Sequence, residues 1–163
     1  MRASAGGERS ARPGDVHRAR VLERLAAGPS RIAAAARRAA GQESVPRPGA
    51  GWTAREVVGH LYLVEQVVFH ARLDQLAAGE SPRWAWVEPG TAAAGDAPTL
   101  DDALDLFAAR RAGTLGRVAA FDEPGWNRTG MHATFGRLDV VGLLGVIADH
   151  DDEHHADLEA RLG

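Results

Sequence analysis

Seven histidines are the only side chains in this sequence with a spacing that does chemistry, and three of them stand out. His150 and His154, in "DHDDEHHADLEARL", are four residues apart, so on a helix their imidazoles stack on one face a turn apart. That face continues an apolar stripe of Leu143, Ile147 and Leu158. His60, in "VVGHLYLVEQ", sits beside a second stripe formed by Val57, Leu61 and Val64. An imidazole turned toward a core must be hydrogen-bonded or must bind something. Taken singly, each has the first explanation available. Together, a helical H-x-x-x-H with a third imidazole from a neighbouring helix is the spacing that grips one divalent ion on three sides. Three neutral imidazoles leave the ion its full charge and open coordination positions, which lowers the pKa of a bound water or ionises a bound thiol.

The other chemistries are thinner. The chain has no Cys, which excludes disulfides, thiolate catalysis and Cys-ligated zinc. All nineteen basic residues are Arg, so a catalytic lysine is excluded as well. Tyr62, Arg128 and His132 are the polar side chains available to orient a small-molecule substrate. Trp84, Trp86 and Trp126 fall in long loops, where they either line a pocket mouth or pack the loops down. Asp149 or Glu153 is placed to hydrogen-bond a ligand histidine, while Asp151 and Asp152 read as a solvated acidic rim. His155 points about 140° away from His150 around the helix, His70 reads as a surface residue, and His17 has no evident role.

These side chains need elements to hold them. At 163 residues, 45% hydrophobic and 25% charged, the chain has the size and composition of one globular domain with a sizeable core. The first fourteen residues, "MRASAGGERSARPG", read as a disordered tail, leaving 15–163 as the domain. Apolar periodicity and capping signals predict helices near 15–40, 53–78, 99–120 and 139–162. Gly28-Pro29 is expected to kink or split the first. Thr53 and Glu56 have the spacing of a capping box behind Trp52. Gly79 stops the second helix, Thr99 opens the third and Asp139 the fourth. "DEPGWNRTGMHATFGRL" is turn-rich, with room for a short hairpin. No strand alternation stands out, so the expected fold is all-α: an antiparallel four-helix bundle with long inner connecting loops.

A net charge of −3 and the absence of any basic run argue against a nucleic-acid partner. No apolar run reaches the length of a membrane span and no secretory signal is visible, so a cytoplasmic protein is expected, with a homodimer allowed.

The stretches "GWTAREVVGHLYLVE" and "FGRLDVVGLLGVIADHDDEHHADLEARL" resemble the DinB-like superfamily of metal-binding four-helix proteins. The motifs are a Trp-Thr opening a helix with a histidine eight residues after the Trp, then Phe-Gly before a helix ending in H-x-x-x-H. The resemblance runs from Trp52 to Leu162 and more loosely over the first helix. That superfamily includes metal-dependent hydrolases and the mycothiol-dependent maleylpyruvate isomerase type. The resemblance implies that His60, His150 and His154 bind a divalent ion, zinc or nickel. It also implies a low-molecular-weight thiol as cosubstrate of a transferase or isomerase, with hydrolysis as the alternative. A non-catalytic protein with a structural or stress-related metal is the rival from another class, and a closed fourth protein ligand would mark it.

Overall fold

The computed structural model describes residues 12–42, 51–85 and 97–162. Four helical rods make the bundle. The first is α1 (Pro13–Gln42). The second is continuous from α2 (Ala54–Val64) through a π-helical turn (Glu65–Phe69) into α3 (His70–Ala77). The third is α4 (Leu100–Ala119) and the fourth α6 (Val140–Glu159), which ends in a 3₁₀ turn (Ala160–Leu162). Between them lie a short strand β1 (Arg83–Trp84), a one-turn helix α5 (Glu123–Trp126), and a hairpin of β2 (Thr129–His132) and β3 (Gly136–Asp139).

The ends of the rods follow from local chemistry. Thr53 closes a complete capping box with Glu56, and Thr99 and Asp139 each accept a backbone N–H from three residues on. Gly79 takes a positive φ of 77°, and the N–H groups of Gly79 and Glu80 return to the carbonyls of Leu76 and Gln75. That Schellman pattern ends the second rod where the sequence placed its stop.

The order of the cross-links gives the topology. Glu65, His70 and Asp74 meet Arg111, Thr114 and Arg117 in rising sequence, so the second rod and α4 run parallel. Arg24, Arg31 and Arg38 meet Asp149 with Asp152, Asp152, and Glu159, so α1 and α6 also run parallel. These are the two closely packed pairs, and each runs antiparallel to the other, as Arg37–Asp101 and Trp52–Arg161 show. A parallel second rod and α4 demand a connection that returns the full length of the bundle, which is why the stretch between Ala77 and Leu100 is long.

Two of the sequence expectations change. The expected break at Gly28-Pro29 does not occur, because α1 continues through Pro29. Pro29 lacks the N–H that the Leu25 carbonyl would accept one turn earlier, and Arg111 Nη1 of α4 donates to that carbonyl at 2.9 Å instead. The hairpin is present, and its β2 also pairs in parallel with β1, giving a sheet ordered β1-β2-β3. The sheet packs against the start of α6 through β3 and is tied to α3 through Trp84, so the all-α bundle keeps its helical core. Trp84 and Trp126 pack these loops down. Trp84 donates to Gln75 at 2.9 Å, and the Arg18 guanidinium lies 4.4 Å over the Trp126 ring. Trp86 lies outside the described residues.

The core falls into two apolar clusters. One, around Leu25, Leu73, Leu76, Leu144 and Ile147, fills the sheet end. The other, around Ile32, Leu61, Leu104, Phe107 and Leu158, fills the end where α2 begins and α6 finishes. A layer of buried polar side chains separates them: Glu65, Arg111, Thr114 and Asp151.

Candidate metal centre

The three histidines of the sequence reading converge. His60 Nε2 lies 3.1 Å from His150 Nε2, and His154 Nε2 lies 3.2 Å from the same atom. All three ligand atoms lie within 4.8 Å of one another. With metal–nitrogen bonds of about 2.1 Å, ligand nitrogens stand about 3.0 Å apart at 90° and about 3.4 Å apart at a tetrahedral angle. Both separations from His150 fall between those limits and the third pair lies within 4.8 Å, so the three nitrogens form a candidate donor set that would draw His60 and His154 together around one divalent ion. No carboxylate joins this group among the described residues, so an ion held here would have three protein ligands.

The helices account for the convergence. The i, i+4 spacing stacks His150 on His154 along α6, and the antiparallel second rod brings His60 in from the side. Trp52, just before the Thr53 cap, closes one flank: its ring is 4.8 Å from that of His60 and lies nearly parallel to that of His154 at 6.5 Å. Phe69 presents an edge contact to His150 from the π turn, with centroids 6.1 Å apart.

Electrostatics keeps the imidazoles neutral. Burial, reinforced by the neighbouring imidazole of His154, pushes the His60 pKa down to about 4. Burial, with His154, His60 and the Arg111 cation acting in the same direction, pushes His150 down to about 3. Burial also lowers His154, against the pull of Asp157 and Glu153. At neutral pH no proton has to leave before a metal binds.

Partners of the ligands differ from expectation. Asp149 is taken by Arg24, and Glu153 is exposed. Asp157 is the carboxylate beside a ligand, with Oδ2 3.4 Å from His154 Nδ1. That nitrogen is buried without a better-aligned acceptor, so Asp157 is the group that would fix its tautomer once the opposite nitrogen is committed to a metal. Asp152 does lie at the surface, paired with Arg24 and Arg31. Asp151 does not belong to a solvated rim: it is 4% exposed and gripped by Arg111. His70, read as a surface residue, is buried as well, because α4 covers that side of the second rod. Its Nε2 meets the Arg110 carbonyl at 3.1 Å and Thr114 Oγ1 at 3.0 Å. His155 turns away from the cluster toward Glu159, and His17 is exposed.

The three candidates for substrate orientation are not gathered at the histidines. Tyr62 is buried in the apolar cluster with Ile32 and Phe107. Arg128 Nη1 donates to the carbonyls of Leu76 and Ala77, capping the far end of the second rod, and lines a cavity of about 210 Å³ there with Arg117 and Asp122. That point is about 24 Å along the helix from His60 at 1.5 Å per residue. His132 is buried in the hairpin at the same far end, its Nδ1 accepting the N–H groups of Thr134 and Phe135.

The residues missed from sequence are those of the polar layer, Glu65, Arg111 and Asp151. A signal for them was present. Each follows apolar positions at helical spacing: Leu61-Glu65, Leu104-Phe107-Arg111 and Leu144-Ala148-Asp151. A charge that continues such a stripe is buried and paired.

Comparison with known proteins agrees with this architecture. The solved structure of YfiT from Bacillus subtilis superposes with a TM-score of 0.72 at 19% identity, covering 99% of this chain and 95% of that one. It is described as a probable metal-dependent hydrolase with an unusual four-helix bundle topology. No curated protein matches the sequence. The model of the DinB superfamily matches residues 15–158, nearly the whole described bundle, and the chain belongs to that superfamily.

Proposed function

We propose that this protein is a metal-dependent enzyme that acts on a small molecule at an open three-histidine centre formed by His60, His150 and His154, with a low-molecular-weight thiol as its nucleophile. The observation that carries the reading is the convergence of three neutral imidazole nitrogens with no carboxylate among them. A divalent ion held there supplies Lewis acidity, which ionises a thiol or water at neutral pH and polarises an acceptor group. The protein's own part is to hold the three nitrogens on one side, exclude water along the Trp52 flank, and orient His154 through Asp157.

The ligand cluster itself holds three imidazoles and no carboxylate among the described residues, which favours the thiol. A thiolate attacks without a general base, whereas hydrolysis usually needs one beside the water. The same open set argues against a purely structural metal, which is normally closed by a fourth protein ligand. Hydrolysis is the second reading, supported by the likeness of the fold to YfiT.

Purified protein is analysed for metal, then loaded with cobalt(II) and titrated with a panel of cysteine-containing small thiols. The thiol reading expects a new thiolate-to-metal charge-transfer band and metal-dependent consumption of thiol in the presence of electrophiles. Metal-dependent cleavage of esters or amides with no thiol response moves the assignment to a hydrolase. A protein that takes up no divalent metal refutes both.

A further inference from the structure

The buried polar layer has a geometry that packing alone does not require. Arg111 is 1% exposed at the centre of the bundle, and a guanidinium has five N–H donors in a rigid plane. All five are used. Nε donates to Glu65 Oε1 at 2.8 Å and Nη2 to Glu65 Oε2 at 3.0 Å. Nη2 also donates to Asp151 Oδ1 at 3.0 Å, and Nη1 to Asp151 Oδ2 at 2.7 Å. The remaining Nη1 hydrogen goes to the Leu25 carbonyl that Pro29 leaves without its helical partner. One side chain of α4 thus holds the other three rods, two of them by paired bonds.

The two carboxylates belong to the two rods that carry the histidines. Asp151 follows His150 directly, and Glu65 lies five residues beyond His60, at the start of the π turn. Those two rods touch each other only sparsely, because the close packing is within the pairs α1 with α6 and α2 with α4. Apolar contact between His60's rod and α6 is therefore a weak constraint on their relative rotation and height. A planar fork bonded to both carboxylates fixes both quantities at once.

We propose that Arg111 is the positioning residue of the metal centre: by clamping Glu65 and Asp151 in one plane it sets the register of the two ligand-bearing rods, so that His60 meets His150 and His154. Resting on the reading that the three histidines hold a metal, this adds a residue that touches none of them. Two further features keep the clamp rigid. Thr114 Oγ1 donates to Glu65 Oε1 and meets His70 Nε2, so Glu65 is braced from α4 as well. Gly28 leaves room for the clamp, since a Cβ there would come within 2.7 Å of Asp151 Oδ2 and 2.8 Å of Arg111 Nη1.

The test replaces the clamp by apolar side chains of similar volume, Glu65→Leu with Arg111→Met and Asp151→Leu, an exchange that buried ion pairs often tolerate without loss of stability. Cobalt(II) affinity and the visible ligand-field spectrum are measured beside the thermal unfolding of the metal-free protein. The expected result is cooperative unfolding at or above the wild-type temperature, with cobalt bound at least tenfold more weakly and with an altered spectrum. Unchanged affinity and spectrum in the folded triple variant overturn the proposal. Should the triple variant not fold, Arg111→Lys, which keeps the charge and loses the fork, is read in the same assay: tenfold weaker binding supports the clamp and wild-type binding refutes it. Wild-type protein that binds no cobalt overturns the metal reading itself, and the positioning role with it.

Discussion

Gly28→Ala sets two well-known effects against each other. Alanine is the better helix former, and a Gly→Ala exchange inside an exposed helix is worth about 1 kcal/mol of added stability. Gly28 is interior to α1 and buried, and its missing side chain is where α1 meets the polar layer. An alanine methyl would stand 2.7 Å from Asp151 Oδ2 and 2.8 Å from Arg111 Nη1. Both atoms are side-chain tips, and a tip free to swing away would yield cheaply. These are not free. They are bonded to each other at 2.7 Å, and the guanidinium that carries one of them has every N–H committed. Overpacking a core costs about 1–3 kcal/mol, and disrupting a buried ion pair costs about 3–5 kcal/mol when it is broken outright. Sterics outweighs propensity, and the expected net effect is a destabilisation of about 1–3 kcal/mol. Gly116→Ala in α4 and Gly145→Ala in α6 are the controls, because an added methyl meets nothing within 4 Å at either position. Both should stabilise by about 0.5–1 kcal/mol. Urea unfolding of the three metal-free variants reads the signs directly. A Gly28→Ala protein that gains stability as the controls do would refute the reasoning, since the layer could not then be as tightly filled as described.

Three further expectations concern the histidines. His60→Ala, His150→Ala and His154→Ala should each lose most bound metal and its stabilisation, about 2.7 kcal/mol at a hundredfold excess over Kd, whereas His155→Ala, turned toward Glu159, keeps both; full metal retention in His154→Ala shows the site to be misassigned. In chelator, stability should be complete above pH 6.5 and fall as the pH drops toward 4: the folded imidazoles of His60 and His150 titrate at about 4 and about 3, so the unfolded chain takes up the protons first. Between pH 6.5 and 5 the loss is of the order of 2 kcal/mol per imidazole, and a urea midpoint independent of pH over that range contradicts it. Trp52, 4.8 Å from the His60 ring, should lose fluorescence when cobalt(II) is added and not when zinc is; an equal response in Trp52→Phe places the emitting tryptophan elsewhere.

The rods were legible because their signals are local. Thr53 with Glu56, Thr99, Asp139 and Gly79 act within a turn of themselves, so their spacing in the sequence is their spacing in space. The three histidines were legible for a related reason: His150 and His154 are fixed by helical geometry, and His60 shares its side of a helix with Val57 and Val64. Their meeting is long-range, but it needed only that both apolar faces turn inward. Arg128 and His132 were drawn toward the site by their position in loops, and nothing in the sequence says at which end of a bundle a loop lies. That depends on whether consecutive rods run parallel or antiparallel. Here the parallel course of the second rod and α4 puts the hairpin at the end away from His60.

Pro29 shows why the remainder was hidden. From the sequence it is a helix breaker, and the usual cost of proline in a helix interior is about 3 kcal/mol or more, in part because one carbonyl loses its donor. That cost assumes the carbonyl stays unpaired. In this fold the orphan is the Leu25 carbonyl, and the residue that satisfies it, Arg111, is eighty-six positions away. Read singly, Gly28-Pro29 is a break, Arg111 a surface cation and Asp151 part of an acidic rim, and each of those readings is the commoner one. The three are mutually dependent: the glycine makes room for the ion pair, the proline exposes an acceptor to the guanidinium, and the carboxylates of Glu65 and Asp151 neutralise it. A charge embedded in an apolar helical stripe requires a partner of this kind. Three such charges on three rods, with a Gly-Pro on the fourth at the matching height, specify a single buried layer. The same layer lies beside His150, whose imidazole is held neutral mainly by burial, then by the neighbouring imidazoles, with the Arg111 cation adding to them.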